Sequence, residues 1–214
     1  MSEIWTRWEG QIVNGVLPLR RYLGGSDHSG VFLTQYAALD LPDAAVKLVP
    51  LIPAVAETQL AHWRTAAGLS HPHLIRLLDT GRCQLGELQF LFVVMEYAEQ
   101  NLGQILARRA LTTDEVRETL VPIVDALGFL HRRDLVHGGL KPSNILAVND
   151  LLKLSTDTVC PAGSVTIPAS ERSMYDPPEA SVGRAATAGD LWSLGVTMVE
   201  ALTQHSPFFQ LIEF

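Results

Sequence analysis

The sequence predicts an α+β protein, β-rich over its first hundred residues and mainly helical after them. Three observations carry this. Short apolar runs separated by turn residues dominate before residue 100, a capping box opens a run at helical spacing after Thr112, and a long apolar helical segment starts at Asp190. With 214 residues, 47% hydrophobic and 18% charged, the chain can form one full domain or two lobes sharing a cleft, and it is too apolar for disorder.

Ile12-Val13, the turn Asn14-Gly15 and Val16-Leu17 predict a hairpin, because that turn pair accepts positive φ. Leu23 to Leu33 (LGGSDHSGVFL) reads as a small, polar loop closing into a strand, with Ala45 to Val49 as the next strand. Ala54 to Leu69, with long side chains and Ala and no Pro, predicts a helix ended by Ser70-His71-Pro72. Leu88 to Tyr97 returns to an apolar strand. Thr112 with Glu115 is a capping box, and Val116, Leu120, Ile123, Leu127 and Leu130 follow at helical spacing, with Pro122 expected to kink the helix. A second hairpin is expected at Ile145 to Val148, Asn149-Asp150 and Leu151 to Leu154, then an irregular loop from Thr158 to Asp176. Asp190 to Leu202 is apolar on nearly every side and predicts a helix buried all round.

Charge and composition exclude several classes. Sixteen Lys+Arg against 23 Asp+Glu give a net charge of −7, and no basic cluster exceeds two residues, which argues against a nucleic-acid or anionic-membrane surface. Cys83 and Cys160 lack CxxC spacing or a partner histidine, so neither a zinc site nor a disulfide framework is expected, and a reducing, cytoplasmic setting fits. The start MSEIWTRWEG has no signal-peptide character, and the longest strongly apolar run, Phe90 to Met95, is far below the ~20 residues of a bilayer span, so no membrane segment is expected within residues 1–214.

His137-Gly138-Gly139-Leu140-Lys141-Pro142-Ser143-Asn144 resembles the catalytic loop HRDLKPxN of eukaryotic-type serine/threonine protein kinases. Other elements of that family follow in matching order. Leu23-Gly24 through Val31 resembles the glycine-rich loop, Ala45-Val46-Lys47 the strand with the phosphate-binding lysine, and Met95-Glu96-Tyr97-Ala98 the gatekeeper and hinge. Pro177-Pro178-Glu179 resembles the APE element, and Asp190-x-Trp192-Ser193-x-Gly195 the start of the long helix. The resemblance implies a bilobal fold, with a β-rich N-lobe and hinge at 1–98 and a helical C-lobe at 99–214. It also implies nucleotide contacts at Gly24, Val31, Lys47, Glu96, Ala98 and Asn144. Only three lysines occur in the chain, and Lys47 and Lys141 fall where the family places an ammonium near the nucleotide or the transferred phosphate.

The same comparison predicts impaired chemistry. Gly139 stands where the catalytic Asp belongs and Gly138 where its preceding Arg belongs, so neither can accept a proton or anchor a phosphorylated loop. Ser164, Thr166, Ser170 and Ser173 are phosphate acceptors only in principle, lacking that receptor. Ser26 and Ser29 replace two of the three loop glycines. Counting from Lys153 puts Thr156 at the magnesium-binding Asp, whereas counting from Asn144 puts Asp157 there, and no Phe-Gly follows either. Asn144 and Asp157 are the metal candidates, Asp157 being either a surviving ligand or a turn aspartate. Counting back from His71-Pro72, His62 takes the place of the glutamate that pairs the lysine, and Glu57 lies about 140° away around the helix.

The expected function is a pseudokinase that binds a protein partner or regulates a neighbouring domain, holding ATP weakly, with or without magnesium, or not at all. A weakly active serine/threonine kinase is the alternative. An aminoglycoside-kinase-type phosphotransferase, suggested by His137-Gly138, is disfavoured by the LKPxN, PPE and DxWSxG elements. His131 and His137 are expected to be structural hydrogen-bonders. The family continues with helices that cover the last one, so the C-lobe is expected to be incomplete at Phe214 and the chain a fragment of a longer protein.

Overall fold

Asn14 and Gly15 turn the chain at φ 48° and 74°, and the hairpin they close pairs β1 (Ile12–Val13) with β2 (Leu17–Pro18), following the short helix α1 (Glu3–Thr6). The computed structural model describes residues 3–165, 173–179 and 183–208. These divide into two compact units, one from Met1–Leu69 with Arg76–Tyr97, the other from Ser70–Ile75 with Ala98–Phe214.

The first unit is built on an antiparallel sheet of order β3-β4-β5-β7-β6, with β3 at Arg21–Ser26, β4 at Ser29–Tyr36, β5 at Leu41–Pro50, β6 at Leu77–Leu85 and β7 at Leu88–Glu96. Strand side chains alternate between faces. Phe32, Val46, Leu48, Phe90 and Phe92 share one buried cluster with Trp5, Val13, Leu17 and Leu19 from the N-terminal segment. Helix α2 (Pro53–Ala67) packs on β6 and β7, and it buries Ala56, Leu60, Trp63 and Ala66 as one helical stripe. Pro53 suits its first turn, where no intrahelical N–H partner is needed.

In the second unit, β8 (Gln100–Asn101), β10 (Ile145–Val148) and β11 (Leu151–Leu154) form a small sheet of order β11-β10-β8, turned at Asn149 and Asp150 with φ 48° and 61°. Asn101 caps α3 (Leu102–Leu106), sharing reciprocal bonds with Gln104. Thr112 and Glu115 do the same for α4 (Thr113–His131), which runs through Pro122. The ion pair with Arg109 and the N-cap amide hold the Glu115 carboxyl down to about 2. Strand β9 (Leu135–Val136) pairs with β12 (Cys160–Pro161), and α5 (Thr187–Thr203) follows. Among the described residues no helix is long and apolar enough to cross a membrane.

Several expectations change. Residues 23–33 are not an open loop: β3 and β4 pair out to Ser26 and Ser29, leaving Asp27-His28 as the tip. The short helix α1 and strand β6 have no clear sequence signature. In β6, Asp79 and Gly81 are poor strand formers, held extended by pairing with β7. The expected irregular loop from Thr158 contains β12, while Thr166 and Ser170 lie outside the described residues. Helix α5 is buried on one face only. Asp190, Leu194, Thr197 and Ala201 point inward, but Leu191 is 59% and Leu202 42% exposed.

The capping box makes a direct prediction. Thr112→Ala removes the acceptor for the Glu115 N–H and should lower stability by about 1 kcal/mol in urea unfolding. Glu115 has a depressed folded-state pKa, so its contribution should persist above the ordinary glutamate range and be lost as pH falls toward 2, read as a falling thermal midpoint that Glu115→Gln flattens.

Candidate functional site

In the first unit, the register sets Val31 directly opposite Lys47 on β4 and β5, Lys47 opposite Val93 on β7, and Gly24 opposite Val31. Directly paired residues share a face. Gly24, Val31 and the half-buried Lys47 thus lie on the face away from the Phe32–Phe90 cluster. Gly24 sits at φ 142°, a conformation that disfavours a side chain, beside the bulge that shifts register between Tyr22 and Gly24.

The hairpin tip satisfies part of its own polarity. The Ser26 and Ser29 hydroxyls lie 3.3 Å apart, and the His28 N–H donates to Ser26 Oγ at 3.2 Å. At Gly25 an added Cβ would stand 2.1 Å from the Ser29 carbonyl oxygen, so the tip requires glycine there. This tip fits a phosphate less well than a free run of amides, because one of its donors is already taken.

On α2, the Glu57 carboxylate is 74% exposed and pairs with Arg82 of β6. His62 is half-buried, and burial pushes its pKa down. Neither residue therefore presents a buried carboxylate. At the end of β7, the Glu96 N–H donates to the Arg76 carbonyl at 3.0 Å, and the Glu96 carboxylate accepts the Arg76 N–H at 3.3 Å. Ala98 opens the second unit.

The loop in the second unit is held by one residue. The Asp190 carboxylate is 2% exposed and accepts the His137 N–H at 2.8 Å, the Gly138 N–H at 2.9 Å and the His131 imidazole Nε2 at 2.8 Å. Sequence reading recognised Asp190 as a helix start and missed this role. The signal was present as an acidic residue in the first turn of an otherwise apolar segment.

His137 is fully buried. Burial depresses its pKa, opposed by the Asp190 and Asp157 carboxylates and the Ser155 carbonyl. Its Nδ1 accepts the Gly139 N–H at 3.3 Å. The Asn144 Nδ2 donates to the Gly139 carbonyl at 2.6 Å, and the Asn144 N–H donates to the Lys141 carbonyl at 2.9 Å. Lys141 is half-buried and extended, at φ −165°.

The two candidate metal positions differ. Thr156 is fully buried, and its hydroxyl donates to the Ile75 carbonyl at 2.6 Å, committing it inward. The Asp157 carboxylate lies within electrostatic reach of His137, on the side of the loop. Among the described residues no three His, Cys, Asp or Glu side chains converge on one point. Asn144 and Asp157 each carry a side-chain oxygen, the donor type that suits magnesium. Both cysteines are buried, with thiols pushed up to about 11 by desolvation, which suits packing and not nucleophilic work.

The glycines at 138 and 139 are built into the loop. Gly138 has φ 68°, so an arginine there would be strained. An added Cβ at Gly139 would meet Thr158 Cγ2 at 3.0 Å and Oγ1 at 3.2 Å. Thr158 thus stands close enough that a side chain at 139 would require it to shift by a few tenths of an ångström. The same Thr158 hydroxyl lies 3.5 Å from His137 Nδ1. Farther along, the Ser193 hydroxyl donates to the Tyr175 carbonyl at 2.7 Å and the Tyr175 hydroxyl to Glu200 at 2.5 Å, tying the segment before Pro177-Pro178-Glu179 to α5.

Comparison with known proteins finds the protein kinase domain family across residues 43–213. The serine/threonine-protein kinase PrkC of Bacillus subtilis is 28% identical over 215 aligned residues, covering 93% of this chain and 32% of its own length. The serine/threonine-protein kinase PknB of Mycolicibacterium smegmatis is 30% identical over 162 residues, covering 68% of this chain and 25% of its own length. The chain thus spans about a third or less of these relatives. The solved PknI kinase domain of Mycobacterium tuberculosis superposes with a TM-score of 0.74 at 23% identity, covering 96% of this chain and 80% of that one, which establishes a shared α+β kinase fold.

Two substitutions test the loop. Asp190→Ala leaves the His137 and Gly138 amides without their acceptor and should cost about 3–5 kcal/mol in urea unfolding, with Asp190→Asn costing less. Gly139→Asp should cost about 1–3 kcal/mol by overpacking, and Thr158→Ala in the same chain should recover part of the loss. Strict additivity across that double-mutant cycle would show that the two positions do not compete for space.

Proposed function

Because the chain belongs to the protein kinase domain family, with serine/threonine kinases among its relatives, we propose that it is a pseudokinase, a kinase-like module that binds or regulates without transferring phosphate. The observation that carries this reading is Gly139 with Thr158 packed where a side chain would stand. Phosphoryl transfer in this family needs a carboxylate to orient the acceptor hydroxyl, and losing a positioned base costs about 10²- to 10⁴-fold.

A magnesium-bound nucleotide, where this family uses one, supplies the transferable γ-phosphoryl group and neutralises its charge. In this chain Lys47 would offer an ammonium, Gly24 and Val31 the sheet surface beside it, Glu96 and Ala98 the hinge backbone, and Asn144 and Asp157 oxygen ligands. The self-bonded tip at Ser26 to Ser29 supports weak retention or none. A cytoplasmic protein partner or a regulated domain completes the proposal, since a module that does not turn over substrate acts through what it contacts.

The test is radiolabelled ATP transfer to a mixed peptide substrate, with Lys47→Ala as control. Incorporation should stay at the Lys47→Ala level, and magnesium-dependent incorporation abolished by Lys47→Ala would instead establish an active serine/threonine kinase. A thermal shift with ATP should be small and little changed by magnesium, because a ligand stabilises only in proportion to its occupancy.

A further inference from the structure

Residues 3–10 carry no recognised motif, yet Trp5 and Glu9 among them are bonded to the glycine-rich hairpin. Trp5 is 2% exposed, and its indole Nε1–H donates to the Ser26 carbonyl at 2.7 Å. Its ring lies flat against the backbone at Gly30, where an added Cβ would stand 2.5 Å from Cε3 and 2.6 Å from Cδ2. A second tie lies at the other end of β3, where the Tyr22 N–H donates to the Glu9 carboxylate at 2.5 Å, next to the bulge before Gly24. Trp5 is itself held by Phe90 at 6.0 Å between ring centroids, and Trp8 meets the same Phe90 edge-on at 5.8 Å.

The alternation along β4 defines which side is held. Gly30, Phe32 and Thr34 are buried on the tryptophan side, whereas Val31 and Leu33 point to the other face, the one shared with Lys47. The hairpin is therefore fastened from the face opposite Val31 and Lys47. Gly30 lies outside the three positions that the glycine-rich pattern requires, and its missing side chain admits the indole.

We propose that Trp5 is a positioning residue for the glycine-rich hairpin, clamping the β3–β4 tip from behind so that it presents one fixed backbone conformation on the Lys47 side. A short hairpin with three glycines and a polar tip is an intrinsically mobile element, because little buried apolar surface holds it. Here a large aromatic side chain supplies that surface, and its N–H fixes the carbonyl at Ser26. The proposal stands on the first unit alone and holds whether or not the chain transfers phosphate.

Amide hydrogen exchange on the 214-residue chain tests it. Trp5→Phe keeps a ring against Gly30 and removes the donor to Ser26. Exchange across residues 22–31 should accelerate roughly fivefold, as expected for one lost hydrogen bond, while amides in the centres of β5 and β7 stay within twofold of wild type. Trp5→Ala should accelerate the hairpin further, with Trp5→Phe intermediate as the partial rescue. Gly30→Ala, which forces the ring away, should mimic Trp5→Ala. Unchanged exchange at 22–31 in Trp5→Phe and Trp5→Ala would overturn the proposal, as would equal acceleration in the hairpin and the sheet centre. If Gly30→Ala does not fold, the two Trp5 variants still decide the question.

Discussion

A carboxylate buried to 2% exposure needs several hydrogen-bond donors, and Asp190 has them in the His137 and Gly138 amides and the His131 imidazole. That constraint organises the second unit. It joins the first turn of α5 to the last turn of α4 and to the loop after β9, segments more than fifty residues apart in sequence. Two of the three donors are backbone N–H groups, which any residue except proline provides. The loop can therefore keep its shape while the side chains at 138 and 139 are reduced to hydrogen atoms.

This separation of scaffold from chemistry explains what the loop retains. His137 is inward and fully buried, Asn144 braces the Gly139 carbonyl, and Pro142 is buried in the short turn that ends at Asn144. All three are scaffold roles. The two glycines serve the scaffold as well: Gly138 occupies a left-handed conformation, and Gly139 leaves room for Thr158. A side chain at 139 and the Thr158 side chain would press on each other, so adding one at 139 requires its neighbour to shift.

The first unit is organised by its sheet in a comparable way. One face is a dry cluster of Phe32, Val46, Leu48, Phe90 and Phe92, completed by Trp5, Val13, Leu17 and Leu19. The other carries Val31 and Lys47 in register. Strand alternation alone assigns a residue to one job or the other, so the N-terminal segment reinforces the hairpin without occupying the lysine face.

The sequence alone determined features encoded over a few residues: the turns at Asn14-Gly15 and Asn149-Asp150, the Thr112–Glu115 capping box, and the ordered motifs that pointed to a kinase fold. These signals are local because a positive φ, a cap or a helical period depends on near neighbours. Tertiary structure decided the rest. Strand β6 is extended because β7 pairs with it, α1 matters through one indole that meets Gly30, and α5 keeps exposed Leu191 and Leu202 that its composition concealed. Neither residue counting nor spacing separated Thr156 from Asp157. Their surroundings differ in the fold, where the Thr156 hydroxyl donates to the Ile75 carbonyl and the Asp157 carboxylate lies within electrostatic reach of His137. Such pairings join residues distant along the chain, and short-range patterns carry no record of them.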